Sequence, residues 1–341
     1  MPKPRLAVVL DAGPGIGLGH LQRMLAVGEE LRAAGAQVRL FTNRLTAKTQ
    51  RRLQRRKFAH TVLGRSLGAE KEYPRWHERL ARWRPDAVIS DSYRLRPSWF
   101  RGLYRRQRSI VIFDGRRAAG PAHLLLNPTR TLPATGGRSL LSGPRFTPVA
   151  KYVVARRVRR RPPAAIVRRV LVSLGGGDRC GMTLRLLRWL GRARQGMHVT
   201  IIAGPYFPDG EALLREAAAA GGNRLTVRHD VPSLAPFLAN TDLAIINAGS
   251  TSWEAACLGV PVLQVTMAAN QRPVAARMAA AGAGADLGPA RRLTAAKFTA
   301  AFRGAADDRI LRRRMSAAGR RLVDGRGAER LACAIMRQLN A

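Results

Sequence analysis

Short apolar runs alternate along the chain with helical patterns, and glycine or small residues mark each exchange. Residues 6–10 form one such run. A glycine-rich stretch, 13–19, follows it, and then a helical pattern through Leu21, Leu25, Val27 and Leu31 that Gly35 ends. Residues 37–42 alternate apolar with polar positions as a strand does, so the chain starts as a βαβ unit. Further strands are predicted over 87–90, 109–113 and 123–126, with a helix over 99–106. Residues 156–165, RRVRRRPPAA, break every apolar period, and their paired prolines cannot continue a helix. The cycle then restarts. Strands over 169–174, 198–203, 224–228 and 243–247 alternate with helices over 181–190, 211–219, 233–238 and 250–258.

This order predicts an α/β chain of two Rossmann-like domains, each a parallel sheet covered by helices, facing a cleft that takes ligand at the strands' carboxyl ends. The first spans 1–155, a linker spans 156–166 and the second spans 167–341. The length of 341 residues suits two domains, and a 46% apolar composition gives each a core.

Charge complicates the picture. The formal net charge is +39, with 35 basic and 9 acidic residues in 1–165 against 25 and 12 in 166–341. Only six of the 60 basic residues are lysine, so the excess reads either as the mark of GC-rich coding or as a surface for a polyanion or membrane. Aromatic residues are 6% and no nucleic-acid motif is present, so no specific nucleic-acid partner is expected. Trp76, Trp83 and Trp99 lie among many arginines, as core residues or as part of a patch for peripheral contact with an anionic membrane. Three cysteines far apart, with no CxxC spacing, indicate neither a disulfide framework nor a metal site. No apolar run approaches the ~18 residues that span a bilayer, and the amino terminus lacks a signal-peptide pattern, which predicts a cytoplasmic protein.

Two segments carry candidate chemistry. In GPGIGLGHLQR, 13–23, glycines let the backbone approach a ligand and His20 falls at a helix start. There the imidazolium is disfavoured, so a neutral His20 could take a proton; a structural histidine is the alternative. The second segment is NAGSTSWEAACLGVPVLQVTMAANQRP, 247–273. Its small residues at a helix start form a seat for a diphosphate without lysine or metal. Glu254 either accepts from the hydroxyls of a ribose or complements the helix dipole. Asn270 and Gln271 either hold a sugar or, for Asn270, cap the next helix.

Together these segments resemble the UDP-2,4-diacetamido-2,4,6-trideoxy-β-L-altropyranose hydrolase family of pseudaminic acid biosynthesis. The similarity runs nearly end to end. It rests on IGLGHLQR at 16–23, the 91–93 segment, LLLNP at 124–128, GPRF at 143–146, LGGGD at 174–178, AGPYFP at 203–208, the GSTSWEAACLGVP block and NQRP at 270–273.

The resemblance implies a GT-B fold, like that of the membrane-associated N-acetylglucosaminyltransferase of peptidoglycan synthesis. It also implies hydrolysis of a UDP-sugar with anomeric inversion, without metal or cofactor. In that reading His20 is the base for water and Tyr93 assists near the sugar. Gly17, Gly19, Arg23, Gly175, Gly176, Gly204, Gly249, Ser250, Thr251, Ser252, Glu254, Asn270 and Gln271 hold the UDP-sugar. The chain departs from the family pattern at Leu10, Gly13, Ser92 and Gly115, all in the amino-terminal half. The alternatives are an inverting GT-B glycosyltransferase, in which His20 activates an acceptor hydroxyl, and a binding protein without catalysis.

Overall fold

The computed structural model describes residues 2–12, 19–115, 118, 120–133, 139–159, 162–175, 178, 180–204, 214–215, 218–219, 221–229 and 231–340. The chain divides into two compact units, Met1–Ala150 with Gly325–Ala341, and Lys151–Asp324.

The first unit is built on a parallel sheet of β1 (Arg5–Leu10), β2 (Gln37–Asn43), β3 (Ala59–Gly64), β4 (Ala87–Asp91), β5 (Arg108–Ile112), β6 (Leu124–Asn127) and β7 (Ser139–Ser142). Their order is β3-β2-β1-β4-β5-β6-β7. β1 and β4 are almost wholly buried, as strands covered by helices on both faces must be, which is why they read as continuous apolar runs. Leu10 pairs with Asp91, so the carboxyl ends of β1 and β4 lie side by side where the strand order reverses. Phe41, Trp76, Trp99 and Phe100 fill one core layer of this unit.

The second unit repeats the winding. β8 (Arg169–Ser173), β9 (His198–Ala203), β10 (Arg224–His229), β11 (Leu243–Asn247), β12 (Val262–Thr266) and β13 (Ala285–Pro289) lie in the order β10-β9-β8-β11-β12-β13, all parallel. Here the reversal falls between β8 and β11. Trp189, Phe298 and Phe302 anchor its core. Both sheets thus have the doubly wound order expected from the sequence.

Two expectations change. Residues 156–159, assigned to a linker, complete the helix Lys151–Arg159. Arg157 on that helix donates to the carbonyls of Cys257 (2.8 Å), Val323 (2.7 Å) and Arg320 (2.9 Å), satisfying helix ends that have no intrahelical partner. Arg157 therefore belongs to the packing of the second unit. The last helix, Gly327–Asn340, belongs to the first unit rather than to the second. Within it, Arg330 donates to the carbonyl of Arg145 at 2.9 Å, and the carbonyl of Gln338 accepts from Arg108. Among the described residues, no helix is long and apolar enough to cross a membrane.

Candidate functional site

In the first unit the strand ends deliver two acids to one helix. Asp91 closes β4, Asp114 follows β5, and the helix Gly19–Ala33 follows β1. Three residues apart on that helix, His20 and Arg23 share a face. His20 Nδ1 lies 2.7 Å from Asp91 Oδ1. Arg23 Nε donates to Asp91 Oδ2 at 2.6 Å, and its Nη2 also reaches Oδ1. Through Nη1, Arg23 grips both oxygens of Asp114, at 3.0 and 2.8 Å. Tyr93 OH (2.6 Å) and Thr129 Oγ1 (2.9 Å) donate to the same carboxylate.

Burial by itself would raise both carboxyls, but Arg23 holds them below the ordinary range, with His20 helping at Asp91 and the Tyr93 hydroxyl at Asp114. The Arg23 guanidinium, although buried, is held well above its usual value by the two acids. Desolvation and Asp114 push the Tyr93 phenol well above its own.

An ionised Asp91 fixes the imidazole. It accepts from Nδ1–H, so the 3.2 Å approach of Arg23 Nη2 to Nδ1 brings two donors together on one acceptor rather than bonding to each other. In the neutral ring the lone pair then sits on Nε2, which has no partner among the described residues. That is the state of a proton acceptor. Tyr93 packs edge-on to His20 with ring centroids 4.5 Å apart. His20 is 6% exposed and Asp91 0%, whereas Tyr93 is 53% exposed, so the tyrosine is the part of the cluster that meets solvent. Asp11, just beyond β1, is fully buried. Its carboxyl is pushed up by burial and accepts from Ser92, the residue at one of the family departures.

In the second unit, Asn247 ends β11 between two glycines. A Cβ on Gly175 would stand 3.1 Å from Asn247 Nδ2, and one on Gly249 3.3 Å from it. Gly175 also has φ +95°, a left-handed conformation that glycine adopts without strain. The Asn247 side chain has no hydrogen-bond partner among the described residues. The helix Ser250–Leu258 starts beside it, and no side chain caps its first turn. Ser250 and Thr251 are half-buried at that start.

Ser252 turns inward. It is 0% exposed, its hydroxyl donating to the carbonyl of Asn247 (3.2 Å) and accepting from Gln264 Nε2 (2.7 Å). Glu254 is half-buried one turn on. Asn270 is exposed, and Gln271 Oε1 accepts from the amide of Met267 at 2.8 Å. Both lie in a 3₁₀ turn, Ala269–Gln271, and neither side chain caps the following helix. Gly204 follows β9. Gly17 and Gly176 lie outside the described residues.

Sequence reasoning left Asp91, Asp114, Thr129 and Asn247 without roles. A positional signal for Asp91 and Asn247 exists, since each is the polar residue that ends an apolar strand at the reversal of strand order. Among the described residues, no group of three or more His, Cys, Asp or Glu is placed to hold a metal ion.

Among solved structures, the chain is similar to Acinetobacter baumannii MurG, 18% identical with a TM-score of 0.70 over 98% of this chain and 100% of that one. It is also similar to CalG4, the calicheamicin glycosyltransferase, 16% identical with a TM-score of 0.68 over 100% of this chain and 99% of that one. The fold is that of the GT-B glycosyltransferases. A co-structure of S. aureus MnaA with UDP is likewise similar, 14% identical with a TM-score of 0.69 over 99% and 97%.

No family model matches the chain. Two curated proteins do. One is an uncharacterized protein of Methanocaldococcus jannaschii, 19% identical over 76% of this chain and 55% of that protein. The other is the spore coat polysaccharide biosynthesis protein SpsG of Bacillus subtilis, 26% identical over 48% of each. The chain spans about half the length of the curated relatives it matches.

Proposed function

We propose that the protein transfers a glycosyl group from a nucleoside-diphosphate sugar with inversion, His20 serving as the general base. The observation that carries this reading is the His20–Asp91 pair, which fixes Nδ1 as donor and leaves Nε2 basic at the carboxyl end of the sheet. In the reaction, an acceptor oxygen forms a bond to the anomeric carbon as the bond to the diphosphate breaks. The acceptor proton passes to Nε2, and the diphosphate leaves with the bonding pair.

Departure needs no residue to donate a proton if the leaving charge is met by amides. The start of the helix Ser250–Leu258, with Gly249, Ser250, Thr251 and the Asn247 amide, supplies donors of that kind. Glu254 then takes the ribose, and Asn270 and Gln271 the sugar end. The GT-B neighbours and the sugar-pathway name of SpsG support transfer to an acceptor hydroxyl. A second reading, hydrolysis with water as acceptor, is favoured by the similarity of the 16–23, 91–93 and 247–273 segments to the UDP-sugar hydrolases.

UDP release is the test. The protein is incubated with the UDP-linked diacetamido-trideoxy sugar and with UDP-N-acetylglucosamine, with and without a chelator and in the absence of acceptor. Release from the first sugar alone gives the hydrolase. Tight UDP binding without release, followed by release when a carbohydrate acceptor is added, gives the transferase. A chain that neither binds UDP nor turns over either sugar overturns both.

A further inference from the structure

The first unit carries a concavity remote from His20. A pocket of about 230 Å³ is lined by Arg39 and Phe41 on β2, Thr61 on β3, and Arg79, Arg82 and Trp83 at the end of the helix Tyr73–Arg82. Trp83 stands beside Arg5, the first residue of β1, whereas the His20 cluster lies beyond the last residue of that strand. Six residues of strand at ~3.3 Å each place the two regions about 20 Å apart.

The pocket's lining carries three arginines and no acid, and the nearby Asp86 carboxylate accepts from the backbone amide of Arg5 at 2.7 Å. The guanidinium carbons of Arg5 and Arg39 lie 5.2 and 5.5 Å from the Trp83 ring centroid. Arg79 Nη1 is fixed by the carbonyls of Val62 (3.0 Å) and Leu63 (3.4 Å), which leaves the rest of its fork to point elsewhere. Arg39 Nε is buried with no hydrogen-bond partner. None of the four arginines is in an ion pair among the described residues. Like charges held together and partly desolvated are unfavourable unless an anion joins them.

Size and walls narrow the ligand. Pockets for drug-sized ligands start at about 300 Å³, so a nucleotide sugar exceeds this one while a small phosphate ester fits. Guanidinium forks match phosphate oxygens, and the half-buried Trp83 ring, backed by the buried Phe41, offers an apolar wall for a short carbon stem. We propose that this pocket binds a small soluble phosphate monoester, independently of the nucleotide-sugar reading.

The probe is glycerol 3-phosphate, titrated into the full chain and read by tryptophan fluorescence and by the thermal unfolding midpoint, with glycerol and UDP titrated in parallel. Saturable binding that weakens with salt is expected, with no response to glycerol. Arg82→Gln, at an exposed position, should weaken it about tenfold, the loss of one charge-assisted contact, and a further Arg39→Gln should abolish it. The UDP response should be unchanged in both variants.

An unaltered glycerol 3-phosphate response in the double variant overturns the proposal. So does a UDP response lost in parallel, which would place the ester at the nucleotide site. Binding seen only to vesicles containing phosphatidic acid overturns it in favour of a lipid headgroup. A wild-type chain that binds the ester but not UDP leaves this proposal standing and removes the nucleotide-sugar one.

Discussion

At the reversal between β1 and β4, Asp91, Arg23, Asp114 and His20 close a network in which each charge faces its opposite. At the corresponding reversal between β8 and β11, the side chain is the neutral amide of Asn247, set between two glycines and bonded to no described residue. The winding of the two sheets is the same, so topology explains where each cluster lies and nothing about what it contains. A proton acceptor needs an ionised partner, and the partner survives burial only with a cation such as Arg23 beside it. A seat for a diphosphate needs backbone amides and small side chains, where a carboxylate partner would repel the ligand.

The contrast predicts a graded set of outcomes. His20→Ala should lower turnover by about 10²- to 10⁴-fold while leaving UDP affinity within twofold, read by UDP release and by calorimetry. A variant as active as wild type removes His20 from the mechanism. Asp91→Asn should cost a comparable factor, because the amide no longer enforces the Nδ1–H tautomer. It should also reshape the acid limb of stability. Asp91 and Asp114 are held below the ordinary carboxyl range, so they stabilise the fold above the unfolded value of ~4 and lose that contribution as pH falls through their folded values. The wild-type melting temperature should therefore fall steeply as the solution is acidified below about pH 4, and that of Asp91→Asn less steeply.

Effects on the neutral side should be smaller and of another kind. Gly175→Ala imposes a left-handed conformation on a Cβ that also presses on the Asn247 amide. Its expected cost is about 1–3 kcal/mol in thermal or urea unfolding, with weaker UDP binding. Asn247→Ala should leave stability nearly unchanged and weaken a nucleoside diphosphate by roughly 1 kcal/mol, the worth of one hydrogen bond. Binding of the nucleoside monophosphate should not move. Equal losses for both nucleotides would detach Asn247 from the diphosphate.

Much of the fold was legible because buried parallel strands have to be apolar along their whole length. β1, β4, β9 and β11 fall within a residue of their predicted limits for that reason. β3, β7 and β13 escaped notice, and all three are sheet edges, half-buried and paired on one side only, so their sequences AHTVLG, SLLS and ADLGP carry little pattern. His20 was legible from the glycine-rich approach to its helix. The acids that define it were not, since Asp91 lies 68 and 71 positions, and Asp114 91 positions, from their partners on that helix.

The arginines show the same division. Arg157 lies in the segment read as a linker yet donates to three backbone carbonyls, and Arg312 is fully buried and donates to the carbonyls of Ala305, Ala306, Ala164 and Ala165 at 2.7–2.8 Å. With 21 acidic residues against 60 basic ones, the chain turns to backbone oxygens for part of its charge pairing.

By itself, the sequence determined the alternation of strands and helices, the repetition of that cycle and the two segments that could meet a ligand. These follow from local periodicity and from glycine's backbone freedom, which are properties of neighbouring residues. Tertiary structure alone decided that Arg23 joins Asp91 to Asp114, that Ser252 is spent inside the second unit, that the last helix returns to the first, and that Arg39, Arg82 and Trp83 share a pocket. Each of those depends on which strand ends the winding brings together, and electrostatic and packing energies act through space at a few ångströms regardless of distance along the chain.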